Sequence, residues 1–279
     1  MSNADVAYQD VQSSGIEPSD YLERLTRFRA AAQEFRTSLS DFVADRVAQF
    51  SAEHGKPKIK LLEIGSSAGT LLGDVLAKSA HALDLQTILA LEPDNQSFVA
   101  LKQNDNLKQW KVQFRQSTLE DFIASSTIQS FEFNVVLLSH IFYHFDQPRT
   151  ILEVLRAQTS KPAILIIAHD SHECPLYRFI DRVRESRNLV PTEQYGSYLS
   201  AEELRADFED SNCAIEQTNL ESTLQLGTCS EFVDAVEFLG RRRLRSQSDA
   251  SEVCIAAAEF GLPMPGEYAL GQSVFVIEI

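Results

Sequence analysis

Leu61-Leu62-Glu63-Ile64-Gly65-Ser66-Ser67-Ala68-Gly69-Thr70 is the stretch on which the fold turns. An apolar run of strand character passes directly into small residues and then into helix-forming sequence. Gly65 and Gly69 allow a tight backbone turn and the close approach of a ligand where side chains would interfere. Open α/β sheets bind ligands at the carboxyl ends of their strands, which makes this turn a candidate site; on composition alone it also reads as an ordinary strand-to-helix turn. A dinucleotide fingerprint requires glycine where Ser67 and Thr70 stand, and a phosphate loop requires Gly-Lys followed by Ser or Thr, which this sequence lacks.

Outward from this turn the hydrophobic period alternates. Residues 59–64, 87–91, 111–114, 134–138, 163–168, 215–224 and 273–279 read as strands. Residues 70–80, 96–107, 119–125, 147–158, 176–187, 201–208 and 231–239 read as helices, and Ser200 with Glu203 forms a capping box before one of them. Such alternation predicts a seven-stranded, mostly parallel Rossmann-like α/β sheet covered on both faces. Residues 246–272 read as part helix and part Gly/Pro-rich loop. Before the sheet, apolar positions from Leu22 to Phe50 recur at helical spacing after Pro18 and Asp20, as one helix or as two broken near residues 36–39. The division expected is therefore 1–57 as an N-terminal arm and helical lid, and 58–279 as the main domain with C-terminal insertions.

The 279 residues suffice for one substantial domain with a small cap. Forty acidic against 25 basic residues leave a formal charge of -15, which disfavours nucleic acid; the arginines at 241–243 and 245 read as a solvated helix end. The four cysteines, Cys174, Cys213, Cys229 and Cys254, show no paired Cys-x-x-Cys spacing and read as buried free thiols. A polar start and the lack of any long apolar run point to a cytoplasmic protein without membrane association, as monomer or homodimer.

At the end of the second strand stands Leu89-Ala90-Leu91-Glu92-Pro93-Asp94, where a carboxylate can accept hydrogen bonds from both hydroxyls of an adenosine ribose. Together the acid-x-Gly run from Glu63 to Gly69, Glu92-Pro93-Asp94, residues 114–118 and residues 134–145 resemble the class I S-adenosylmethionine-dependent methyltransferases. That resemblance implies S-adenosyl-L-methionine as cofactor and S-adenosyl-L-homocysteine as product. It places Glu63, Gly65, Ser66, Ser67, Gly69, Glu92, Gln96, Gln116, Ser117, Thr118 and Ser139 at the cofactor, with Ser67 departing from the family's middle glycine. A noncatalytic cofactor-binding protein stays open as an alternative.

Residues 138–145 combine aromatic walls with His140, Tyr143 and His144, and imidazole can orient an amine or take its proton near neutral pH. Neither His140 with His144 nor His169 with His172 has a recognisable third ligand, and no metal is assigned. Residues 21–28, Glu34 and residues 275–279 further resemble the histamine-N-methyltransferase-like group. The resemblance implies that Tyr21, Phe28, Glu34 and His140 contact a small, cationic amine or imidazole compound; the β4 exit adds Tyr143 to this set, and His140, Glu34 and His144 are the catalytic candidates. Leu270 stands near a position where that group carries asparagine, which puts histamine itself in doubt. The expected activity is N-methylation of a small molecule, with small-molecule O-methylation as the alternative.

Overall fold

The computed structural model describes residues 27–28, 30–79, 81–125, 133–145, 147–186, 200–209, 214–239, 247–262 and 265–279; for 33–36, 143, 185–186 and 247–250 it describes the backbone alone. The expected helix start at Pro18 and Asp20, and also Tyr21, Cys213 and the 241–245 arginines, lie outside these residues. Ahead of the sheet stands α1 (Gln33–Glu53). The first half then runs β1 (Ile59–Ile64), α2 (Thr70–Ser79), β2 (Leu85–Leu91), α3 (Asn95–Gln103), α4 (Asp105–Lys108), β3 (Val112–Arg115), α5 (Leu119–Ala124) and β4 (Val135–Ser139). A short 3-10 helix (Phe142–His144) leads to α6 (Pro148–Gln158), β5 (Ile164–Asp170), α7 (Pro175–Ser186), α8 (Ala201–Glu209), β6 (Ile215–Leu226), α9 (Cys229–Leu239), α10 (Gln247–Glu259) and β7 (Gly266–Glu278).

The seven strands are ordered β3-β2-β1-β4-β5-β7-β6. β1 to β5 run parallel, and β7 lies antiparallel between β5 and β6. The order reverses between β1 and β4, so their carboxyl ends flank a crevice of the kind that binds ligands in doubly wound sheets. Strands covered on both faces must be apolar throughout, which is why β1, β4 and β5 read as near-continuous Val/Ile/Leu runs. One face buries Leu62, Leu91, Leu138 and Phe275 under Leu152 of α6 and Phe208 of α8. The other buries Leu61, Leu137 and Val276 under Leu72 and Val75 of α2, together with Leu39, Val43, Val47 and Phe50 of α1. A third core, built from α7, α9, α10 and the far end of the β6–β7 hairpin, caps the sheet and includes Phe28.

Four expectations need correction. The break in the N-terminal helical segment falls at Ala32, whose backbone is non-helical, and α1 continues unbroken through residues 36–39. Residues 96–107 form two helices because Asn104 interrupts them: its side chain accepts from the Asn106 amide at 3.0 Å and caps α4. Residues 266–272 are strand, since Gly266 and Gly271 pair with Leu226 and Glu221 in a long hairpin despite their weak strand propensity. Cys229 and Cys254 are joined in a disulfide that ties α9 to α10, leaving Cys174 as the free thiol among the described residues. The Ser200–Glu203 capping box is present, with reciprocal bonds of 2.8 and 3.1 Å.

Candidate active site

After β1 the chain takes positive φ three times within five residues: 71° at Gly65, 49° at Ser67 and 72° at Gly69. Glycine adopts this region freely, whereas a side chain such as that of Ser67 costs on the order of 1 kcal/mol. Space is as restrictive as conformation. A Cβ on Gly65 would run into Ile141 Cγ2, and one on Gly69 would lie 2.5 Å from Leu101 Cδ1 and 2.6 Å from Leu107 Cδ1. Gly69→Ala is therefore expected to cost about 2 kcal/mol of stability in a urea titration; an unchanged midpoint would show that both leucines give way freely. The helix break at Asn104 also serves this turn, its Nδ2 donating to the Ala68 carbonyl at 2.8 Å.

Glu92 closes the crevice from the β2 side and is almost fully buried. Its Oε2 accepts from the Ser67 amide at 2.6 Å and its Oε1 from the Asp94 amide at 3.0 Å. A carboxylate offers about four acceptor positions, so these two bonds fix its orientation without by themselves exhausting it. Asp94 in turn caps α3 through the Ser97 amide at 2.7 Å. Beside the carboxylate, Ser67 Oγ is buried without a hydrogen-bond partner among the described residues. A tight glycine turn, a fixed carboxylate and an unsatisfied hydroxyl suit a polar nucleoside ligand.

At the exit of β4 the chain makes another left-handed step, with φ 55° at His140. The His140 amide still extends the ladder by donating to the Ala168 carbonyl at 2.8 Å, and the ring lies over the end of β5. There Nδ1 stands 3.3 Å from Asp170 Oδ1, and Nε2 stands 3.2 Å from Oε1 of the fully buried Gln272 on β7. Burial alone would push the Asp170 carboxyl up. The His140 charge and hydrogen bond, with His169 and the Tyr177 hydroxyl behind them, instead hold it well below the usual carboxylate range. Strain of this kind persists where surrounding structure over-determines it, and it concentrates at functional sites.

The loop after β5 adds further acids. Burial pushes the Glu202 carboxyl up, but the bond from Ser171 Oγ to its Oε1 at 2.7 Å, together with those from the Glu202 and His172 amides and the Ser200 side chain, holds it below its ordinary range. The His172 ring stacks on Tyr177 at 4.9 Å with Nδ1 3.7 Å from Asp181 Oδ2, and its burial depresses its affinity for a proton. The described residues contain no group of three or more His, Cys, Asp or Glu side chains arranged to hold a metal ion.

A family model described as a methyltransferase domain matches residues 32–218. The chain belongs to this methyltransferase family. No curated protein matches it in sequence. Among solved structures it resembles the plantazolicin methyltransferase BpumL, determined with S-adenosylhomocysteine and a triazolic desmethylplantazolicin analogue (14% identity, 98% of each chain covered, TM-score 0.55). The plantazolicin methyltransferase BamL is similar at 12% identity, covering 99% of this chain and 96% of its own, with TM-score 0.55. YcgJ from Bacillus subtilis matches at 14% identity over 85% of this chain and 98% of its own, with TM-score 0.57. With the strand order above, the family match makes the protein a class I methyltransferase; nothing in these structures singles out the histamine-N-methyltransferase-like group. Among the described residues no helix is long and apolar enough to cross a membrane.

On the methyltransferase scaffold the expected cofactor residues fall unevenly. Gly65, Ser66, Ser67, Gly69 and Glu92 form one continuous surface of turn and carboxylate, and buried Glu63 supports it from within β1, with Ser66 Oγ 3.4 Å from its carbonyl. Ser139 ends β4 at the crevice. Gln96 is exposed on the first turn of α3, while Gln116 donates to the Pro93 carbonyl at 3.4 Å, beside Glu92. Thr118 caps α5 through the Asp121 amide, and Ser117 donates to the Thr118 carbonyl at 3.0 Å, so both have structural duties. His144 is exposed on the 3-10 helix. Phe28 packs on Phe238 at 5.3 Å within the cap core. Glu34 lies on α1 and Tyr143 on the 3-10 helix, with side chains outside the description. Asp170 and Gln272 as neighbours of His140, and Tyr177 of α7 behind Asp170, were not expected; the pairing of Asp170 with Gln272 becomes visible only once the register is known.

Proposed function

We propose that the protein is an S-adenosylmethionine-dependent N-methyltransferase acting on a small, cationic amine or imidazole compound. The observation that carries this proposal is the carboxylate-backed imidazole of His140 at the β4 exit, next to the turn and carboxylate suited to the cofactor. When bound, the cofactor supplies a methyl group already activated on a sulfonium. Gly65 and Gly69 let the backbone approach its amino-acid portion, and Glu92 accepts from its ribose hydroxyls. Asp170 keeps a proton on His140 Nδ1, so Nε2 is the ring atom that orients the substrate nitrogen or receives its proton. Ionised Asp170 and Glu202, with the net acidity of the chain, favour a cationic substrate. The rest of the contribution is alignment and exclusion of water.

The narrower likeness to the histamine-N-methyltransferase-like group enters through the lid, proposed to comprise residues up to 57 with Tyr21, Phe28 and Glu34 facing the substrate. Glu34→Gln preserves size while removing charge. With a preferred amine, this change is expected to lower kcat/KM about tenfold, on the order of 1.4 kcal/mol, with cofactor affinity nearly unchanged and a matched neutral substrate affected much less. Equal losses for both substrates would place Glu34 outside the recognition site.

Calorimetry is expected to show binding of S-adenosylmethionine and S-adenosylhomocysteine in preference to NAD or ATP; stoichiometric NAD binding with neither sulfur compound bound would overturn the cofactor assignment. A methyl-donor assay across amines, imidazoles, phenols and carboxylates, read by product mass, tests the substrate class. Methylation confined to acidic oxygen compounds would reject the amine. The His140–Asp170 pair also suits removal of a proton from a hydroxyl, so phenol products alone would establish the O-methyltransferase alternative. Tight cofactor binding with no product from any class would favour a noncatalytic role.

A further inference from the structure

We propose that Gln272 is a positioning residue for His140, its side-chain amide turning over as the imidazole gains and loses a proton. This deepens the proposal that His140 accepts a proton, and it rests on it. Gln272 is fully buried, and its backbone is clamped on both sides, opposite Asp170 of β5 and Leu220 of β6. Only the amide end has freedom to move. Its Oε1 stands 3.2 Å from His140 Nε2, while its Nε2 has no hydrogen-bond partner among the described residues.

The other ring nitrogen fixes the chemistry of this contact. Asp170 is an acceptor, so Nδ1, 3.3 Å away, carries a hydrogen. A carbonyl oxygen at Nε2 makes a hydrogen bond only if Nε2 also carries one. The two ends of the amide therefore suit the two states of the ring, Oε1 a protonated Nε2 and the N–H a bare one. With Nε2 bare and Oε1 toward it, two lone pairs would face each other, and the Gln272 nitrogen would stay unsatisfied. A half-turn of the amide removes both faults, because its N–H then donates to the bare ring nitrogen. The terminal torsion of glutamine is broad and roughly two-fold, so the turn needs no movement of β7.

In the proposed step a substrate ammonium displaces the amide N–H and passes its proton to His140 Nε2, which leaves a lone pair on the substrate nitrogen. Gln272 turns so that Oε1 accepts from the new Nε2–H. After methyl transfer Nε2 gives this proton to solvent past the ring, whose side chain is 24% exposed, and the amide turns back to donate to the bare nitrogen. Among the described residues, the charged and titratable groups near the ring include Asp170 with His169 behind it on β5, and Tyr177 and His172 on the far side of Asp170.

Nitrogen NMR on the intact protein tests this without a substrate. Across a pH titration, alone and with S-adenosylhomocysteine added, the Gln272 side-chain amide resonances are expected to move with the same midpoint as the His140 ring. Gln272→Glu, which accepts but does not donate, is expected to raise the His140 midpoint by on the order of one pH unit; Gln272→Met is expected not to raise it. S-adenosylhomocysteine affinity should stay within about threefold in both variants, a change under about 0.7 kcal/mol. An amide that does not respond to His140 titration, or an identical midpoint in all three proteins, overturns the proposal. Should either variant fail to fold, the wild-type titration decides alone. Failure of the wild-type protein to bind S-adenosylhomocysteine would count against the cofactor assignment and leave the amide result standing.

Discussion

Replacing Glu92 by alanine is expected to weaken S-adenosylhomocysteine binding about a hundredfold or more. A hydrogen bond to a charged acceptor contributes about 1.5–3 kcal/mol, and two ribose hydroxyls on one carboxylate bring the loss to about 3 kcal/mol, slightly over two decades in Kd. The same carboxylate holds the Ser67 amide at 2.6 Å and the Asp94 amide at 3.0 Å, so its removal also loosens the turn against which the ligand lies. Glu92→Gln retains an acceptor oxygen and should recover part of the affinity. Calorimetry with circular dichroism as a folding check measures both. An unaltered Kd in folded Glu92→Ala would place the ribose elsewhere.

Asp170→Asn is expected to lower kcat about a hundredfold for whichever substrate the methyl-donor panel identifies, with S-adenosylhomocysteine affinity nearly unchanged. The asparagine side chain is almost isosteric, but it can present N–H to His140 Nδ1 and so favour the tautomer with its proton on Nε2. The ring then meets the substrate with the wrong atom protonated, and general-base contributions are typically worth two to four decades, on the order of 10²–10⁴. Full activity in the variant would remove His140 from proton transfer. Stability supplies a second readout. Because the Asp170 carboxyl is held below its ordinary value of 3.8, its stabilising contribution is complete above that value and is lost as pH falls through its own lower one. The stability difference between wild type and Asp170→Asn should therefore shrink as the medium is acidified below about pH 4.

The strands on either side of the Gly65–Gly69 turn were legible because each is largely apolar and ends at a recognisable punctuation mark, as β1 ends at Gly65 and β2 at Glu92. The hairpin was less legible. Its inner half holds Ser273 and apolar residues to Ile277, but from Gly266 to Gln272 glycines and polar side chains hide a strand that cross-strand pairing stabilises. That concealment also hid Gln272, since a residue assigned to a loop has no defined partner. Asp170 was unreadable for a different reason: its contact with His140 depends on a left-handed residue at the β4 exit, and the sequence there carries no glycine to mark positive φ. The Cys229–Cys254 pairing likewise depends on how α9 and α10 pack, which 25 residues of separation do not reveal.

The position of β7 has a consequence for the order of assembly. β6 touches the sheet only through β7, and β7 meets β5 across roughly a hundred residues of chain. The two pair more readily than either finds β5, because closing the shorter connection, residues 227–265, costs less entropy than closing the longer one. The parallel half, with its glycine turn and Glu92, needs none of this to take shape. During folding the glycine turn and Glu92 would thus precede the contacts around His140, which are complete only after the hairpin docks and sets Gln272 beside Asp170.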